Sequence, residues 1–355
     1  MLLSKLTHFN FSPEAIRWLS SYLSNRIQCV SINGAKSPHH TCSVGVPQGS
    51  ILGPILFSLF INDLPDVCNS VHVQLYADDA VIFTHGKDYT EVSTILTSVL
   101  TRVQDWLTDS CLLLNAKKTV CMAFSKRPVQ LQSSNVFLGG EELELVSEFK
   151  YLGVTLDPTL TFKKHIKKVS NTINYNLQNF KQIRPFLTVS AAKSYLQCMI
   201  LSHIEYCFTN WSCAGVTTLK PIEQLYKRAL KVFDRKPYSH HHCNILRKYS
   251  LLSFSNFKVF KQLIFIYKTL NGFSPPPLRE FIKRKPDRGI STRATTRGDC
   301  EEPHRKTAFS KNILSVQGCL SWNNLPLPIR DSLSTPSFKY KLKKWLLNNQ
   351  VCDHE

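Results

Sequence analysis

Apolar positions in the first 110 residues follow two different spacings. They recur with helical spacing up to about position 30, again in 50–65 and again in 89–111, which predicts helices in these three regions. Short apolar runs lie between the helices: a pair around Asn33-Gly34, then "TCSVGV", then "VHVQLY" followed by "AVIF". Such runs, separated by turn residues, predict short strands and hairpins.

Helix-start residues support two of these helices. Ser12-Pro13-Glu14 combines a good N-cap residue with proline in the first turn, and Ser50 or Gly53-Pro54 opens the helix that ends near Pro65. The segment from "TCSVGV" onward therefore reads as strand, tight turn and helix.

The pattern changes at Thr161. Before it, "CLLLN" and "TVCMAFS" around the turn at 116–118, and then "FKYLGVTL", predict further strands. After it, helices are predicted at 189–204, 221–233, 253–270 and in "PSFKYKLKKWLL", interrupted by three prolines at 275–277 and a basic, aperiodic stretch at 283–306. These elements predict an α+β fold, an antiparallel sheet with packed helices followed by a mostly helical region.

The first long helix after Thr161 has two distinct faces. Its apolar face is predicted to hold Phe162, Ile166, Val169, Ile173, Leu177 and Phe180. Lys163, Lys164, Lys167 and Lys168 fall on the opposite face. This lysine face is predicted to lie along a phosphate backbone, and the alternative is an ordinary solvated helix surface.

Composition sets the general class. The chain has 355 residues, of which 43% are hydrophobic, so packed cores are expected. Its twelve cysteines show no regular spacing and no signal peptide opens the sequence, which predicts free thiols in an intracellular compartment, with nucleus and cytoplasm both open. The longest apolar run, "ILGPILFSLFI", is too short to cross a bilayer, so no membrane segment is predicted.

Charge is distributed unevenly along the chain. Residues 1–150 carry a net charge of −2 and residues 151–355 carry +21, which together give the chain's +19. A basic surface of this size attracts polyanions, and nucleic acid is the expected partner. The alternative is that the charge serves solubility alone.

Two adjacent carboxylates interrupt the apolar run "VQLYADDAVIF". Isolated carboxylates in an apolar setting cost several kcal/mol each or lose their charge by protonation, so Asp78 and Asp79 predict a bound cation that compensates them. Because "AVIF" follows directly, a hairpin turn at Ala77-Asp78-Asp79 is expected. The alternative is a pair of aspartates that accept hydrogen bonds from turn amides.

Histidines and cysteines form two further groups. His203, Cys207 and Cys213 make one group, and the run from His240 to Cys243 makes the other. Their spacings do not match a zinc-finger pattern, and the fold would have to unite them, so the sequence does not favour zinc.

Three stretches occur in an order typical of one enzyme family. "GVPQGSILGPILFSLFINDLP" from Gly45, "YADD" from Tyr76 and "FKYLGVTLD" from Phe149 together resemble the palm of reverse transcriptases, and specifically those of non-LTR, LINE-type retrotransposons. "YADD" alone is short, and the order and spacing of all three carry the resemblance. The resemblance implies an RNA-directed DNA polymerase, with a partial palm at 1–158, a thumb-like helical domain at 159–235 and a helical, basic C-terminal region at 236–355.

The resemblance also implies roles for individual residues. Asp78 would be the direct ligand of Mg²⁺, with Mn²⁺ as an alternative ion, and Asp79 its weaker neighbour. Lys118, in a stretch similar to the family's next motif, would lie near the triphosphate and protonate the leaving group. A solvated lysine in a turn is the alternative.

Further residues are implied to contact nucleic acid. Those at the template and nucleotide pocket are Gly45, Pro47, Gln48, Gly49, Tyr76 and Ala77. Those of the primer grip are Phe149, Tyr151, Leu152 and Gly153. The partners would be an RNA template, a DNA primer and deoxynucleoside triphosphates. For the loop at 45–49 the alternative is an ordinary helix start, and for the segment at 149–153 it is a buried aromatic hairpin.

One family feature is not found in the 355 residues. The resemblance implies a strand with a metal-binding aspartate before "LLSKLTHFNF", and without it we expect little polymerase activity and an unpaired strand edge beside "YADD". A non-catalytic RNA- or DNA-binding remnant is therefore the alternative function. "SWNNLPLPIR", which contains Trp322, resembles the C-terminal end of the same proteins.

Overall fold

A computed structural model of the chain describes residues 1–125, 131–285, 298–303 and 308–350. The chain divides into two compact units, one formed by residues 1–123 and 129–147 and the other by residues 124–128 and 148–355. Most of the basic stretch predicted at 283–306 lies outside the described residues. The three-part division at residues 158 and 235 stays a prediction.

The first unit mixes four helices with short strands. Its helices are α1 (Leu2–His8), α2 (Pro13–Leu23), α3 (Leu52–Ile61) and α4 (Tyr89–Asp109), with 3₁₀ turns at Leu64–Cys68 and Ala116–Lys118. Its strands are β1 (Arg26–Gln28), β2 (Ser31–Ile32), β3 (Ala35–Lys36), β4 (His40–Cys42), β5 (His72–Tyr76), β6 (Asp79–Phe83), β7 (Val120–Cys121), β8 (Phe137–Leu138), β9 (Glu141–Glu142) and β10 (Glu144–Leu145).

Local capping explains why the helices start where the sequence predicts. The Ser12 hydroxyl accepts a hydrogen bond from the Ala15 N–H at 3.2 Å, and Pro13 occupies the first turn of α2. In α4 the Asp88 carboxylate accepts from the Glu91 N–H at 2.9 Å. These contacts involve residues close in sequence, so the sequence alone reveals them.

Strands in the described residues pair only two at a time. Five pairs are antiparallel, β1–β4, β2–β3, β5–β6, β8–β9 and one in the second unit, whereas β7 and β10 pair in parallel. The hairpin predicted around Asn33-Gly34 is β2–β3. The fold class is therefore confirmed as mixed helix and sheet, in the form of small strand pairs.

Three strand predictions were wrong, one in existence and two in extent. "CLLLN" forms no strand, and Leu113 within it is fully exposed. "TCSVGV" shrinks to the end of β4, and "TVCMAFS" shrinks to β7. A strand needs a neighbour to accept and donate its ladder hydrogen bonds, and apolar spacing alone does not supply that neighbour.

The second unit is a strand pair followed by helices. Its strands are β11 (Phe149–Tyr151) and β12 (Val154–Leu156). Its helices are α5 (Lys163–Ile183), α6 (Val189–Tyr195), α7 (Ser202–Glu205), α8 (Phe208–Trp211), α9 (Val216–Phe233), α10 (His242–Tyr249), α11 (Phe254–Leu270), α12 (Pro276–Arg279), α13 (Ala308–Asn312), α14 (Leu314–Asn323), α15 (Leu327–Arg330) and α16 (Thr335–Asn348). A 3₁₀ turn at Arg184–Phe186 follows α5, and a π-helical segment at Leu196–Leu201 joins α6 to α7.

The predicted apolar face of α5 is confirmed and lies in one large core. Ile173, Leu177 and Phe180 are fully buried there, together with side chains of α9, α11 and α16. By contrast, the first unit holds three small apolar clusters. The helical second unit therefore has the more continuous core.

One predicted helix differs in its start, and one conspicuous segment has a place in the core. The helix expected from 221 begins at Val216 instead, and Pro221 lies inside it, where its missing N–H removes one intrahelical hydrogen bond. Trp322, in the segment "SWNNLPLPIR", is 1% exposed and belongs to the core, so this segment has a packing role.

Helices of membrane-spanning length and hydropathy are absent from the part of the chain that the structure describes.

Candidate active site

The two adjacent aspartates lie at the tip of a tight hairpin. β5 and β6 pair with Val73 opposite Ile82 and Tyr76 opposite Asp79, which leaves Ala77 and Asp78 as a two-residue turn. Ala77 adopts the left-handed region with φ = 52°. The predicted turn is confirmed, with the refinement that Asp79 is the first residue of β6.

One face of this hairpin packs and the other is open. Val73, Leu75 and Ile82 contact a small cluster that contains Leu64, Cys68, Val99 and Val103. Cross-strand partners share a face, so Asp79 lies on the same open face as Tyr76, whose side chain is 64% exposed. The alternation of apolar residues in β5 thus fixes which face of the hairpin is buried, and it leaves Tyr76 and Asp79 on the solvent-exposed face.

Both carboxylates are exposed to solvent. The two carboxylates therefore do not lie in an apolar setting, because the tight turn lifts them out of the apolar run. Their oxygens are the hard donors that Mg²⁺ and Mn²⁺ accept. Among the described residues no third acidic, histidine or cysteine side chain completes a cluster with them, and Asp63 is paired with Lys5 at 2.7 Å.

The loop that precedes α3 is held by two side chains. Arg26 donates from Nη2 to the carbonyl oxygens of Val44 at 2.8 Å and Gly45 at 2.7 Å. Ser50 donates from Oγ to the Pro47 carbonyl at 2.7 Å and accepts from the Gly53 N–H at 3.0 Å. The sequence did not identify the role of Arg26, because its partners Val44 and Gly45 lie 18 and 19 positions away and no residue near Arg26 indicates these contacts.

Backbone conformation explains the two glycines of this loop. Gly45 and Gly49 have φ of 74° and 79°, in the left-handed region that disfavours side chains. Gln48 between them is exposed, and Pro47 is half-buried. The loop therefore presents the Gln48 amide to solvent on a fixed backbone.

Lys118 lies in a separate element. It ends the 3₁₀ turn Ala116–Lys118, where its N–H donates to the Asn115 carbonyl at 3.0 Å, and its side chain is exposed. No hydrogen bond or ion pair joins it to Asp78 or Asp79 in the described portion of the chain. Its predicted role at the triphosphate stays a prediction.

The predicted primer-grip segment is a second tight hairpin, in the second unit. Tyr151 pairs with Val154, and the turn residues Leu152 and Gly153 have φ of 42° and 82°. The Tyr206 hydroxyl donates to the Leu152 carbonyl at 2.6 Å. A Cβ atom added at Gly153 would lie 3.0 Å from the Tyr206 ring, so the ring packs closely against this turn.

Side chains of α5 hold the base of the same hairpin. Glu148 accepts from Lys164 at 2.7 Å and from Lys168 at 2.5 Å, and these bonds hold the pKa of the Glu148 carboxyl below its ordinary value. The Thr155 N–H donates to His165 Nδ1 at 3.3 Å. Burial, and secondarily the charge of Lys168, lowers the pKa of the His165 imidazole.

The four predicted backbone-binding lysines therefore divide into two pairs. Lys164 and Lys168 pair with Glu148, whereas Lys163 and Lys167 line an open cleft of about 390 Å³ between α5 and α9. Ser170 on α5 lines this cleft too, and its hydroxyl oxygen is buried with no hydrogen-bond partner in the described residues.

The other wall of the cleft is the start of α9. Thr217, Thr218 and Pro221 line it, and no side chain caps this helix at Gly215. No acidic residue occupies the first turn of α9. Uncapped N–H groups and the positive end of the helix dipole favour an anion, so the cleft suits a phosphate group.

Comparison with known proteins agrees with the residues described above. A model of the family "Reverse transcriptase (RNA-dependent DNA polymerase)" matches residues 1–156. "Probable RNA-directed DNA polymerase from transposon BS" of Drosophila melanogaster is 30% identical over 233 residues, covering 62% of this chain and 25% of that protein.

Two further relatives come from other insects. "RNA-directed DNA polymerase from mobile element jockey" of Drosophila funebris is 27% identical over 237 residues, covering 64% of this chain and 26% of the relative. "Retrovirus-related Pol polyprotein from type-1 retrotransposable element R1 2" of Nasonia vitripennis is 30% identical over 179 residues, covering 47% of this chain and 43% of the relative. The chain thus spans about a quarter of the length of the first two relatives.

The matched segment indicates the class of protein. Residues 1–156 match the model of the reverse transcriptase family. Together with its relatives from mobile elements, this confirms the prediction of a LINE-type reverse transcriptase from a non-LTR retrotransposon. Members of the family generally use divalent metal ions.

Proposed function

We propose that residues 1–158 form palm elements of an RNA-directed DNA polymerase, in which Asp78 and Asp79 bind a divalent ion. The exposed carboxylate pair at the tip of the β5–β6 hairpin supports this role most directly. We propose Mg²⁺, with Mn²⁺ as a substitute, because both ions accept carboxylate oxygens together with substrate phosphates. When bound, the ion would neutralise charge on the transferred phosphoryl group.

The other predicted residues have complementary parts in this proposal. The Gln48 amide would hydrogen-bond a template base or nucleotide from the loop that contains Gly45, Pro47 and Gly49. Tyr76 and Ala77 would line the nucleotide side of the turn. Lys118 would donate a proton to the leaving pyrophosphate.

Residues 159–235 would act as a thumb that holds a template-primer duplex. In the hairpin before them, Phe149, Tyr151, Leu152 and Gly153 would support the primer end. The Tyr206 bond to this turn gives it a fixed backbone. The basic C-terminal part would add nonspecific attraction for RNA and DNA.

Primer extension tests the catalytic role. The 355-residue polypeptide is incubated with an RNA template, a labelled DNA primer, deoxynucleoside triphosphates and Mg²⁺ or Mn²⁺. We expect extension several orders of magnitude below that of an active polymerase, because the turn holds two carboxylates and the described residues add no third ligand.

The Asp78→Ala variant is the control for this experiment. Robust extension that disappears in Asp78→Ala would contradict the expected inactivity while supporting the role of Asp78. Extension that persists in Asp78→Ala would contradict the role of Asp78 itself.

A second candidate function is nucleic-acid binding without catalysis. The charge of +21 over residues 151–355 and the cationic cleft between α5 and α9 favour it. It predicts duplex binding that is unchanged in Asp78→Ala and weakens steeply with salt. Absence of binding even at low salt would contradict it.

A further inference from the structure

Three consecutive side chains at the start of α10 bring metal-ligand atoms together. One ligand atom from each of His241, His242 and Cys243 lies within 4.8 Å of the other two. The His242 Nε2 and Cys243 Sγ atoms are 3.9 Å apart, and the imidazole centroids of His241 and His242 are 5.0 Å apart. This group of residues is separate from the aspartate turn and from the cleft of α5 and α9.

The separations between the ligand atoms approach those around a tetrahedral ion. Zinc bonds of about 2.0 to 2.3 Å place neighbouring nitrogen and sulfur ligands roughly 3.3 to 3.6 Å apart. The pair formed by His242 and Cys243 is near this separation already. Closing the widest gap of 4.8 Å requires a movement of about 1 Å. His241 can supply it, because its side chain is exposed and precedes the first residue of α10.

Burial differs across the three side chains in a way that suits an open site. His242 is 7% exposed, so packing restrains its ring, whereas Cys243 is half-buried and His241 is exposed. An ion held there would have protein ligands on one side and solvent on the other. The fourth position would thus be open to water or to a further ligand.

The donor set determines the class of metal. Two imidazoles and one thiolate suit borderline and soft divalent ions such as Zn²⁺ and Co²⁺, and they suit Mg²⁺ and Ca²⁺ poorly. The thiolate also offsets the unfavourable placement of a cation at the N-terminal end of a helix. This site would therefore not compete for the ion of the aspartate turn.

From these observations we infer that His241, His242 and Cys243 form a mononuclear zinc-class site with one open coordination position. The three ligands are adjacent in sequence, so bound metal closes no long loop and adds little to global stability. Its effect is local, fixing the junction where the chain leaves α9 and begins α10.

Cobalt binding followed by absorbance tests this site. The untagged 355-residue chain is stripped of metal with a chelator and titrated with Co²⁺. We expect saturation at one equivalent, with a sulfur-to-cobalt charge-transfer band in the near ultraviolet and visible bands of tetrahedral intensity. Addition of Zn²⁺ should abolish these bands, whereas Mg²⁺ in large excess should leave them unchanged.

Variants assign the ligands. Cys243→Ser should remove the charge-transfer band. His241→Ala should weaken Co²⁺ affinity by more than about tenfold, because loss of even an outer-shell partner of a metal ligand reduces metal affinity by at least that factor. Cys198→Ser, which alters an exposed thiol elsewhere, is the matched control and should bind as the parent does. His241→Ala changes an exposed side chain, so its loss of affinity should occur without unfolding, as circular dichroism will verify.

Two results would overturn the inference. The first is a parent chain that shows no charge-transfer band at saturating Co²⁺. The second is a band that survives in Cys243→Ser or that disappears in Cys198→Ser. Because neither readout involves polymerase activity or RNA, failure here is distinct from failure of the proposed function.

Discussion

At the scale of single residues, Asp157 illustrates how one carboxylate organises the start of a helix. It accepts hydrogen bonds from the N–H groups of Thr159 at 3.2 Å, Thr161 at 3.0 Å and Phe162 at 2.8 Å, just before α5. Partial burial acts to raise the pKa of this carboxyl, but the bonds from Thr161, Phe162 and Thr159 together lower it below its ordinary value of 3.8. The stabilisation of the α5 start by Asp157 therefore depends on pH.

Replacing Asp157 by asparagine should destabilise the second unit by about 1 kcal/mol at neutral pH, because hydrogen bonds to a charged carboxylate become weaker bonds to a neutral amide. A lowered folded-state pKa means that this stabilisation is complete above the ordinary value of 3.8 and is lost as pH falls through the folded-state value. The difference between parent and Asp157→Asn should thus shrink below about pH 4.

Urea unfolding followed by tryptophan fluorescence measures this difference, since Trp211 is buried in the core of the second unit. Asp331→Asn, at an exposed aspartate, should change stability by less than about 0.5 kcal/mol. A difference between parent and Asp157→Asn that grows as the solution is acidified would refute this account of Asp157.

Tyr206 is a second residue whose effect is local. Its hydroxyl bond to the Leu152 carbonyl should contribute about 1 kcal/mol, so Tyr206→Phe should speed amide hydrogen exchange of the β11–β12 hairpin about fivefold. Tyr340→Phe, which alters a tyrosine that is 71% exposed, should leave this exchange unchanged. Equal exchange in the parent and in Tyr206→Phe would show that the bond does not hold the hairpin.

At the scale of elements, α5 combines two tasks on its lysine face. Lys164 and Lys168 bind Glu148 beside the β11–β12 hairpin, while Lys163 and Lys167 line the cleft toward α9. Both pairs contribute the same charge and the same helix propensity. They therefore form a matched set for separating support of the hairpin from contact with phosphate.

The double variant Lys163→Ala/Lys167→Ala should reduce the salt dependence of duplex binding. Each lost phosphate contact lowers the magnitude of the slope of log affinity against log salt by about 0.9, so the pair should lower it by nearly two. Lys164→Ala/Lys168→Ala should alter the slope less, because Glu148 already neutralises part of that charge.

Fluorescence anisotropy of a labelled RNA–DNA duplex at several salt concentrations provides the measurement. Equal slopes for the two double variants would contradict the division of the lysine face into a cleft pair and a hairpin pair.

What the sequence predicted depends on how local each feature is. The starts of α2 and α4 and the turn at Asp78 follow from residues within a few positions, and all three were predicted. The missing strand in "CLLLN" could not be foreseen, because pairing depends on a distant partner. For the same reason the contacts of Arg26 and Tyr206 and the pairing of Lys164 with Glu148 were not predicted.

At the scale of the whole molecule, charge and core are divided along the chain. The acidic turn lies in a unit with three small apolar clusters, whereas the net positive charge of residues 151–355 lies in a unit with one large core. The proposed metal-binding turn and the proposed duplex-binding lysines therefore belong to different compact units. This separation is why loss of metal ligation should leave duplex binding intact.

The central claim, that Asp78 and Asp79 bind a divalent ion, is tested most directly by iron-directed cleavage. Fe²⁺ with ascorbate and peroxide generates hydroxyl radicals at its binding site, which cut the nearby backbone. The experiment uses the 355-residue chain with template-primer and a deoxynucleoside triphosphate, because the substrate phosphates complete the ligand set of such ions.

We predict a pair of fragments that meet near residue 78, which Mg²⁺ suppresses and which the variant Asp78→Ala/Asp79→Ala does not produce. Cleavage near residue 242 would report the separate histidine and cysteine site and is distinguished by fragment size. Absence of cleavage near residue 78, or the same cleavage in the double variant, would contradict the claim.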